Sequence, residues 1–487
     1  MPLADVTKLA ALKPGDLQSI RDRLRELGVT YAASMPIFRT SAALPPMLQA
    51  PIRRYHARKL GTKQGVAMRA LLFQDPVTRE EARDAFGADL DRFLDLGILK
   101  EGDDGIVGDF VLGVIDDLYV FGDVLTADPE AVMGFGPTTM TLARAGHETH
   151  GAKRVLEIGC GAGTIALSMA KSVARVVATD ISARAVQLTR INAAMNDLRN
   201  VEVREGSLFD PVRGERFDLV LSQPPFVARP PDDSAVTFLH GGARGDELPR
   251  ALIAELPEFL AQNGRGVLLV EWPDTGEASV EATVKKIVGD RADVLVLQLS
   301  PANIDNHAAI YEALIHPTLD PAFERAVLVR RGHFDAMGVR ALVPTLTVVS
   351  RGAGPRWSAT LPMHAGAKLD GRAIDRMIAA RVLAADPDRL RKARLRMPAG
   401  IVLAQEQVGP GSNVPSTLSA RFPPDVGLQN VDLTEHLLIL LTAVHESRTV
   451  DDGIARFAEQ MDAPKEKARE TLGSIADALR YGLLQVA

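Results

Sequence analysis

Short apolar runs alternate with amphipathic stretches through the centre of the chain. Seven such runs are spaced along residues 151–350, and they are RVLEIG, RVVATD, VEVRE, FDLVLS, GVLLVE, DVLVLQL and VRALVPTLTVVS. Helix-period stretches such as IALSMAKS and ARAVQLTRINAAM lie between them. Continuously apolar strands that alternate with helices are typical of a parallel sheet covered on both faces. The pattern therefore predicts an α/β fold with a seven-stranded, mostly parallel sheet.

The two flanking regions have different patterns. The first is predicted to be mainly helical, with a Thr78-x-x-Glu81 capping box, and to end in a hairpin through DDG. In the last region, GPRWSATLPM predicts a strand, a Pro- and Gly-rich middle predicts loops, and the end predicts helices and a short strand. Two helices followed by a hairpin are typical of a winged helix. We therefore predict winged-helix-like domains over residues 1–125 and 351–487, on either side of a catalytic domain over residues 126–350.

A glycine-rich turn follows the first predicted strand, in RVLEIGCGAGT. Gly159, Gly161 and Gly163 stand between strand and helix, where glycine lets the backbone approach a nucleotide-like ligand. Glu157 precedes the turn, and Asp180 ends the next strand, where a carboxylate suits a ribose diol. Dinucleotide-binding enzymes need G-x-G-x-x-G, but position 164 is a threonine, which disfavours a nicotinamide-dependent oxidoreductase. The pattern E-x-G-x-G-x-G resembles motif I of class I S-adenosylmethionine (SAM)-dependent methyltransferases, although a purely structural turn is an alternative.

A second motif favours the methyltransferase hypothesis. The predicted strand in FDLVLSQPPFV leads into Gln-Pro-Pro-Phe. This stretch resembles the D-[apolar]-x-x-N-P-P-[YF] motif of methyltransferases that modify planar nitrogens, such as the release-factor glutamine and small-domain rRNA guanine methyltransferases. The order GFGPTT, glycine turn, QPPF and HGGARGDEL is similar to that group from about residue 125 to 275. The chain departs from the pattern at Gln223, which replaces asparagine, and at Ser207, where the group often has aspartate.

The resemblance implies SAM as cofactor and a set of site residues. The residues expected to contact SAM are Thr138, Glu157, Gly159, Gly161, Gly163, Asp180, Ile181, Ser207, Leu208 and Gln223. Gln223 and the Pro224 carbonyl are expected to accept N–H bonds from a planar acceptor nitrogen, and Phe226 to stack on the acceptor. Because glutamine is one methylene longer than asparagine, the accepting oxygen shifts by roughly 1.5 Å unless the loop compensates. We therefore expect the acceptor to differ from the best-known ones of the group.

Several of these roles have alternatives. Thr138 suits plain helix capping as well as contact with the methionine end of SAM. His240 is a candidate general base, with a structural role as its alternative. If QPPF is only a rigid turn, the nucleophile lies elsewhere and an oxygen acceptor becomes possible. The sequence has no Cys or His cluster with metal-ligand spacing, so no metal is expected.

Composition narrows the acceptor and the compartment. The net charge is −6 and acidic residues crowd the predicted wing, which argues against gripping RNA or DNA. The chain has a single cysteine, Cys160, and no apolar run of membrane-spanning length, which favours the cytoplasm. Its Ala- and Arg-rich usage is typical of bacteria with GC-rich DNA.

We therefore predict a SAM-dependent methyltransferase that acts on a planar nitrogen of a small-molecule, natural-product or peptide acceptor. The alternatives are an O-methyltransferase, an rRNA N-methyltransferase and a non-catalytic SAM- or DNA-binding regulator.

Overall fold

Helices and two small hairpins form the first part of the chain. The computed structural model describes residues 3–41, 44, 46–124, 126, 128–231, 236–316, 319–352, 354–364, 367–406, 417–423, 428–462 and 468–487. The helices here are α1 (Thr7–Ala10), α2 (Pro14–Glu26), α3 (Tyr31–Arg39), α4 (Pro46–Arg58), α5 (Lys63–Leu72), α6 (Arg79–Phe86) and α7 (Asp89–Asp95). The strands are β1 (Leu99–Gly102), β2 (Gly105–Gly108), β3 (Val111–Ile115) and β4 (Leu118–Gly122), paired β1 with β2 and β3 with β4. The predicted capping box opens α6, and the predicted hairpin is β1–β2.

The central region carries the predicted alternation of strands and helices. Its helices are α8 (Pro137–Gly146), α9 (Thr164–Ala170), α10 (Ala183–Met195), α11 (Glu247–Phe259), α12 (Val280–Val288), α13 (Ile304–Ile315) and α14 (Pro321–Ala336). Its strands are β5 (Arg154–Ile158), β6 (Arg175–Asp180), β7 (Val201–Glu205), β8 (Phe217–Ser222), β9 (Leu260–Asp274), β10 (Asp293–Gln298), β11 (Ala341–Ser350) and β12 (Ser358–Pro362). The strand order is β12-β10-β11-β9-β8-β5-β6-β7. The α/β fold with a mostly parallel sheet is confirmed.

The sheet has eight strands rather than the predicted seven. The extra strand, β12, comes from the stretch that the sequence analysis assigned to the last domain, and it pairs parallel to β10 at the edge of the sheet. Strand β11 runs antiparallel to both of its neighbours, β9 and β10. The pairing of β12 depends on the tertiary position of β10, which local periodicity does not contain. The domain limits at 125 and 350 stay a prediction, but the second one separates β12 from its sheet.

The position of β5 explains where a ligand site is expected. The chain proceeds from β5 outward to β6 and β7, and then returns to the other side of β5 with β8. Strands β5, β6 and β8 are parallel, so their carboxyl ends lie at one edge of the sheet. A reversal of strand order at β5 leaves a crevice at that edge, where open α/β sheets bind ligands.

The last part of the chain combines helices with short strands. These elements are α15 (Gly371–Ala384), α16 (Pro387–Lys392), β13 (Leu395–Arg396), β14 (Val402–Glu406), β15 (Thr417–Arg421), β16 (Val431–Leu433), α17 (Glu435–Glu446), α18 (Val450–Gln460), α19 (Ala468–Arg480) and β17 (Gln485–Val486). The middle was predicted as loops, yet β14, β15 and β16 form an antiparallel sheet there. Residues 407–416 and 424–427 of that predicted loop lie outside the described residues. Most of the buried apolar side chains of this part belong to the same cluster as those of the central sheet.

No helix in the described ranges is long and apolar enough to cross a lipid bilayer.

Candidate functional site

A cavity of about 350 Å³ lies at the carboxyl ends of β5, β6 and β8, and we call it the edge cavity. Its wall includes most of the predicted site residues, namely Glu157, Gly159, Gly161, Asp180, Ile181, Ser207, Leu208, Gln223, Pro224 and His240. Thr138, Gly163 and Phe226 are the predicted residues that lie outside this wall. The fold thus brings together predicted residues from five separate stretches of sequence, four of them at or just after the ends of β5, β6, β7 and β8.

The glycine turn is tied to the neighbouring strand through its backbone. The amide groups of Gly159 and Cys160 both donate to the Thr179 carbonyl, at 2.8 and 3.0 Å. Gly159 and Gly161 have φ values of +72° and +53°, in the left-handed region that favours glycine. A β-carbon at Gly159 would meet no protein atom within 4 Å, so the chain leaves open space there. This is the close-approach geometry that the sequence predicted.

Gly163 has a packing role in this structure. Its φ is +83°, and a β-carbon there would lie 2.7 Å from Thr189 Cγ2 and 2.8 Å from Leu167 Cδ1. The third glycine therefore lets α9 pack against α10 beneath the turn. Its predicted contact with the cofactor has no support in the geometry of the cavity wall.

Glu157 is a buried carboxylate at the end of β5. It is 2% exposed, and one of its oxygens accepts a hydrogen bond from the Ala166 amide at 2.6 Å. Burial raises the pKa of the Glu157 carboxyl well above its usual range, and the charge of Asp180 raises it further. Within the described part of the chain, no Lys or Arg lies at ion-pair distance from Glu157, so no protein cation compensates a negative charge there.

Asp180 ends β6 beside the same turn. Its two carboxylate oxygens accept hydrogen bonds from the amides of Gly161 and Ser182, both at 2.9 Å. Burial raises the pKa of the Asp180 carboxyl, although the backbone hydrogen bonds counteract this. The next residue, Ile181, is 63% exposed and borders the cavity. A carboxylate followed by an exposed apolar side chain suits a sugar hydroxyl pair and the face of a planar base.

Two threonines from α8 hold the side chain of Gln223. The Gln223 amide nitrogen donates to Thr138 Oγ1 at 2.9 Å, and Thr139 Oγ1 lies 3.4 Å from the Gln223 amide oxygen. The N-cap of α8 is Gly136, so the predicted alternative of capping by Thr138 is wrong. Thr139 lies on the cavity wall, whereas Thr138 lies outside it and bonds Gln223, so contact of Thr138 with SAM stays a prediction. These contacts set the place of the longer side chain.

We call residues 223–229 the acceptor loop. Pro224 and Pro225 border the edge cavity, whereas Phe226 is 7% exposed and packs edge-on against Tyr311, with ring centroids 6.3 Å apart. Its predicted stacking on an acceptor therefore stays a prediction that requires the ring to be reached from the cavity. His240 pairs with the loop through a β-bridge to Val227 and lies on the cavity wall.

Sequence reasoning missed several residues of the cavity wall. The segment 129–134 covers the glycine turn, and the Met133 carbonyl accepts from the Ala162 amide at 3.4 Å. The hydroxyl of Thr164 is buried at the wall and has no hydrogen-bond partner among the described residues. Thr164 immediately follows the motif, so its proximity was a usable signal. Residues 132–134 lie at the start of the stretch that contains GFGPTT, whereas residues 129–131 carry no local pattern.

Cys160 is packed inside the turn. Its sulfur lies 3.4 Å from Thr189 Oγ1, and burial raises the pKa of the thiol well above its usual range. A thiol of this kind is inert rather than nucleophilic. A search of the described ranges also finds no group of three or more His, Cys, Asp or Glu side chains placed to hold a metal ion.

The fold and the cavity together define a Rossmann-like methyltransferase core. Residues 137–271 match the model of the family described as "Methyltransferase small domain". The chain belongs to this family of SAM-dependent methyltransferases.

The similar proteins are named for two kinds of acceptor. A provisionally named protein N5-glutamine methyltransferase from Methanocaldococcus jannaschii is 36% identical over 140 residues, which are 28% of this chain and 68% of that protein. The release factor glutamine methyltransferase of Xylella fastidiosa is 36% identical over 141 residues, covering 26% of this chain and 49% of that one. The ribosomal RNA small subunit methyltransferase C of Alcanivorax borkumensis is 30% identical over 187 residues, covering 35% and 53%. The chain thus spans about half the length of the last two relatives.

Solved structures resemble only part of the chain. The ribosomal protein L11 methylase of Lactobacillus delbrueckii subsp. bulgaricus is 23% identical, covers 30% of this chain and 65% of its own, and has a TM-score of 0.22. Coclaurine N-methyltransferase bound to N-methylheliamine and S-adenosylhomocysteine (SAH) is 14% identical, covers 44% and 69%, and has a TM-score of 0.29. TM-scores this low do not indicate a close match over the whole chain.

The residues of the edge cavity fit SAM. The cofactor carries an ammonium and a sulfonium, and the cavity offers the buried carboxylate of Glu157 and the partly buried one of Asp180, without a compensating cation among the described residues. The open space at Gly159 and the unpartnered hydroxyl of Thr164 are further features that a polar ligand would satisfy.

Binding of SAH is expected to weaken as the pH falls. Because burial raises the pKa of Glu157 and of Asp180, each carboxyl of the free protein becomes protonated at a higher pH than usual and then no longer attracts the ligand ammonium. Titration calorimetry from pH 8 to pH 5.5 should show falling affinity and proton release on binding at the acid end. A constant affinity over this pH range would contradict the argument that carboxylates with raised pKa values attract the ligand ammonium.

Proposed function

We propose that the protein transfers a methyl group from SAM to a planar amide-type nitrogen of a peptide side chain. The observation that carries the proposal is the position of Gln223, whose amide lies on the edge cavity wall directly after β8 and is held there by Thr138 and Thr139. The first relatives are named as methyltransferases that act on glutamine, and this supports an amide rather than a hydroxyl acceptor.

The chain's own residues have separate tasks in this proposal. Glu157 binds the ammonium of the cofactor, Asp180 binds the ribose hydroxyls, and Ile181 packs on the adenine. When bound, SAM would supply an activated methyl group on its sulfonium. The carboxylates of Glu157 and Asp180 would hold that cationic ligand, and the apolar part of the wall would exclude water.

The acceptor loop would orient the nucleophile. The Gln223 oxygen and the Pro224 carbonyl accept the two N–H bonds of the acceptor amide, so that the nitrogen lone pair points towards the cofactor side of the cavity. Orientation is the main task, because an amide lone pair is otherwise delocalised and the methyl donor is already activated. Glutamine has one methylene more than asparagine and therefore more conformational freedom. The hydrogen bond to Thr138 removes much of that freedom.

A peptide acceptor is favoured over RNA by charge. The protein has a net charge of −6, and RNA enzymes usually present a basic face to the phosphates. An RNA acceptor remains the second candidate, because one group of relatives is named for ribosomal RNA. We also propose a cytoplasmic location, which the single buried cysteine supports.

Loss of the Gln223 amide is expected to abolish most methyl transfer without weakening cofactor binding. We expect Gln223→Ala to lower kcat by about 100- to 1,000-fold, because one positioned hydrogen-bond acceptor at a reacting centre contributes about that much. The measurement is transfer of a tritiated methyl group from SAM to a pool of glutamine-containing peptides, with a bacterial RNA pool in parallel. Calorimetry with SAH should give similar affinity for the variant and the wild type.

Thr141→Val is the matched control, since Thr141 lies on the same helix but bonds its hydroxyl to the Pro137 carbonyl and lies outside the cavity wall. Transfer to RNA and none to peptides would overturn the peptide assignment. SAH binding without transfer to either pool would contradict the proposed activity.

A further inference from the structure

A helical hairpin lies behind the acceptor loop, and the matched family model does not include it. Helices α13 and α14 follow β10, whereas the family match ends at residue 271. The hairpin has its own apolar cluster with Ile304, Ala308 and Phe334, and the side chain of Ala228 at the end of the acceptor loop is buried in that cluster. The acceptor loop therefore packs against the hairpin through Ala228.

Arg330 of α14 joins three segments through one guanidinium group. Its Nε donates to Glu312 Oε1 of α13 at 2.5 Å, and its Nη1 donates to the Ala228 carbonyl at 2.5 Å. Its Nη2 lies 3.4 Å from Nε2 of His240 on the edge cavity wall. Arg330 is 0% exposed and Glu312 is 1% exposed. The planar fork of arginine can serve these three directions at once, which a lysine ammonium on a flexible stem does less well.

Two more contacts connect the hairpin with the acceptor side of the cavity. His333 of α14 lies with its Nε2 2.7 Å from the Ala243 carbonyl, just after His240 in the chain. Tyr311 of α13 packs against Phe226, and its hydroxyl donates to Glu271 at 3.2 Å. The first contact ends on the segment that follows His240, and the second ends on Phe226 of the acceptor loop, behind the cavity wall. Neither contact reaches the glycine turn.

A buried ion pair rarely stabilises a fold more than apolar residues of similar volume would. Such a pair can instead fix the positions of its two side chains, because their electrostatic attraction is lost when either partner is displaced. Here Arg330 of the pair also holds the Ala228 carbonyl and the imidazole of His240, so a displacement of Arg330 would release both groups. We propose that Arg330, paired with Glu312, is a positioning residue that fixes the acceptor loop and His240 for binding of the acceptor. This proposal rests on the proposed function in so far as the acceptor loop binds the acceptor.

The test compares Arg330→Lys with Arg331→Lys. Arg331 is the neighbouring residue on α14 and pairs with Asp305 and Asp335, but it does not contact the acceptor loop. The first measurement is amide hydrogen exchange by mass spectrometry. The amides of Val227, Arg229 and Gly241 are bonded to carbonyls of the two paired segments at 2.9–3.0 Å. In R330K these amides should exchange about tenfold faster, while the amides of β5 and β6 and the whole of R331K stay unchanged.

The second measurement separates acceptor from cofactor. For R330K we expect kcat/KM for the peptide acceptor to fall by about 10- to 100-fold, because small displacements of a positioning group have effects of that size. The KM for SAM and the affinity for SAH should stay within about threefold of the wild type. If R330K does not fold, the milder Glu312→Gln variant takes its place, and the same local increase in exchange is expected.

The outcomes separate this proposal from the proposed function. If R330K exchanges and reacts like R331K, Arg330 is not a positioning residue, although the methyltransferase assignment stands. Faster exchange throughout the sheet, or an equal loss of SAH affinity, would assign Arg330 a general structural role and also overturn the proposal. If the wild type methylates no peptide, the proposed function fails, and the exchange measurement still decides whether Arg330 fixes the loop.

Discussion

Glu157→Gln is expected to stabilise the free protein and to abolish tight cofactor binding. Glutamine has the same shape, and its carbonyl oxygen can still accept the hydrogen bond that the Ala166 amide donates to Glu157. The substitution therefore removes a charge and little else. A residue that destabilises the free protein but binds the cofactor is a known form of trade-off between stability and function.

The gain in stability follows from the sign of the pKa shift. Burial raises the pKa of Glu157 in the folded protein above its value in the unfolded chain. The contribution of Glu157 is thus most favourable at low pH, where the carboxyl is neutral in both states, and is lost as the pH rises through the folded pKa. Above the pKa of the unfolded chain, the folded protein either retains a proton that the unfolded chain releases or carries an unfavourable buried charge, and glutamine removes this cost. We expect a gain of about 1–2 kcal/mol at pH 8 that disappears near pH 4.

The loss of affinity has the opposite origin. In the proposed complex, the ammonium of the ligand would compensate the Glu157 charge in a water-poor site, and removal of one partner of such a pair weakens binding by about 2–4 kcal/mol, or roughly 30- to 1,000-fold. Differential scanning fluorimetry and calorimetry with SAH measure the two effects. The exposed Glu205→Gln at the end of β7 is the control and should change neither. A variant that melts lower than the wild type at pH 8 would contradict the argument.

Alanine at Gly163 is expected to destabilise the protein, whereas alanine at Gly159 is expected to act mainly on ligand binding. The two glycines have similar φ values, +83° and +72°, so the backbone strain of an alanine is similar, at about 1–2 kcal/mol. They differ in their surroundings. A β-carbon at Gly163 would overlap Thr189 and Leu167 at under 3 Å, which adds about 1–3 kcal/mol of overpacking, but one at Gly159 meets no protein atom within 4 Å.

Gly163→Ala should therefore lower the melting temperature by several degrees more than Gly159→Ala does. Gly159 lies on the cavity wall, so its alanine variant should lose roughly tenfold in SAH affinity, or about 1.4 kcal/mol. Melting curves and SAH titrations of the two variants provide the comparison, each serving as the other's control. Equal melting temperatures would show that α9 can shift away from Thr189, and would remove the packing role of Gly163.

The sequence by itself determined the architecture of the sheet and the chemical character of its ligand. Periodicity located strands β5 to β11, because burial on both faces requires continuous apolar runs. The two motifs directly follow β5 and β8, and Asp180 ends β6. Since parallel strands end at one edge, their chain order already placed Glu157, Asp180 and Gln223 around one cavity. The family match and the cofactor agree with those local patterns.

Only the tertiary structure decided how individual side chains are held. Thr138 and Gln223 are 85 positions apart, and Arg330 lies 102 positions from Ala228, so no local pattern relates them. The same holds for β12, whose partner strand determines whether it joins the sheet, and for Gly163, whose role depends on the approach of α10 rather than on the motif. Local propensity and motif spacing record which groups are present at a strand end. Burial, charge compensation and distance between remote segments arise only when the chain is packed, and in this protein they determine which of those groups line the edge cavity and which support them.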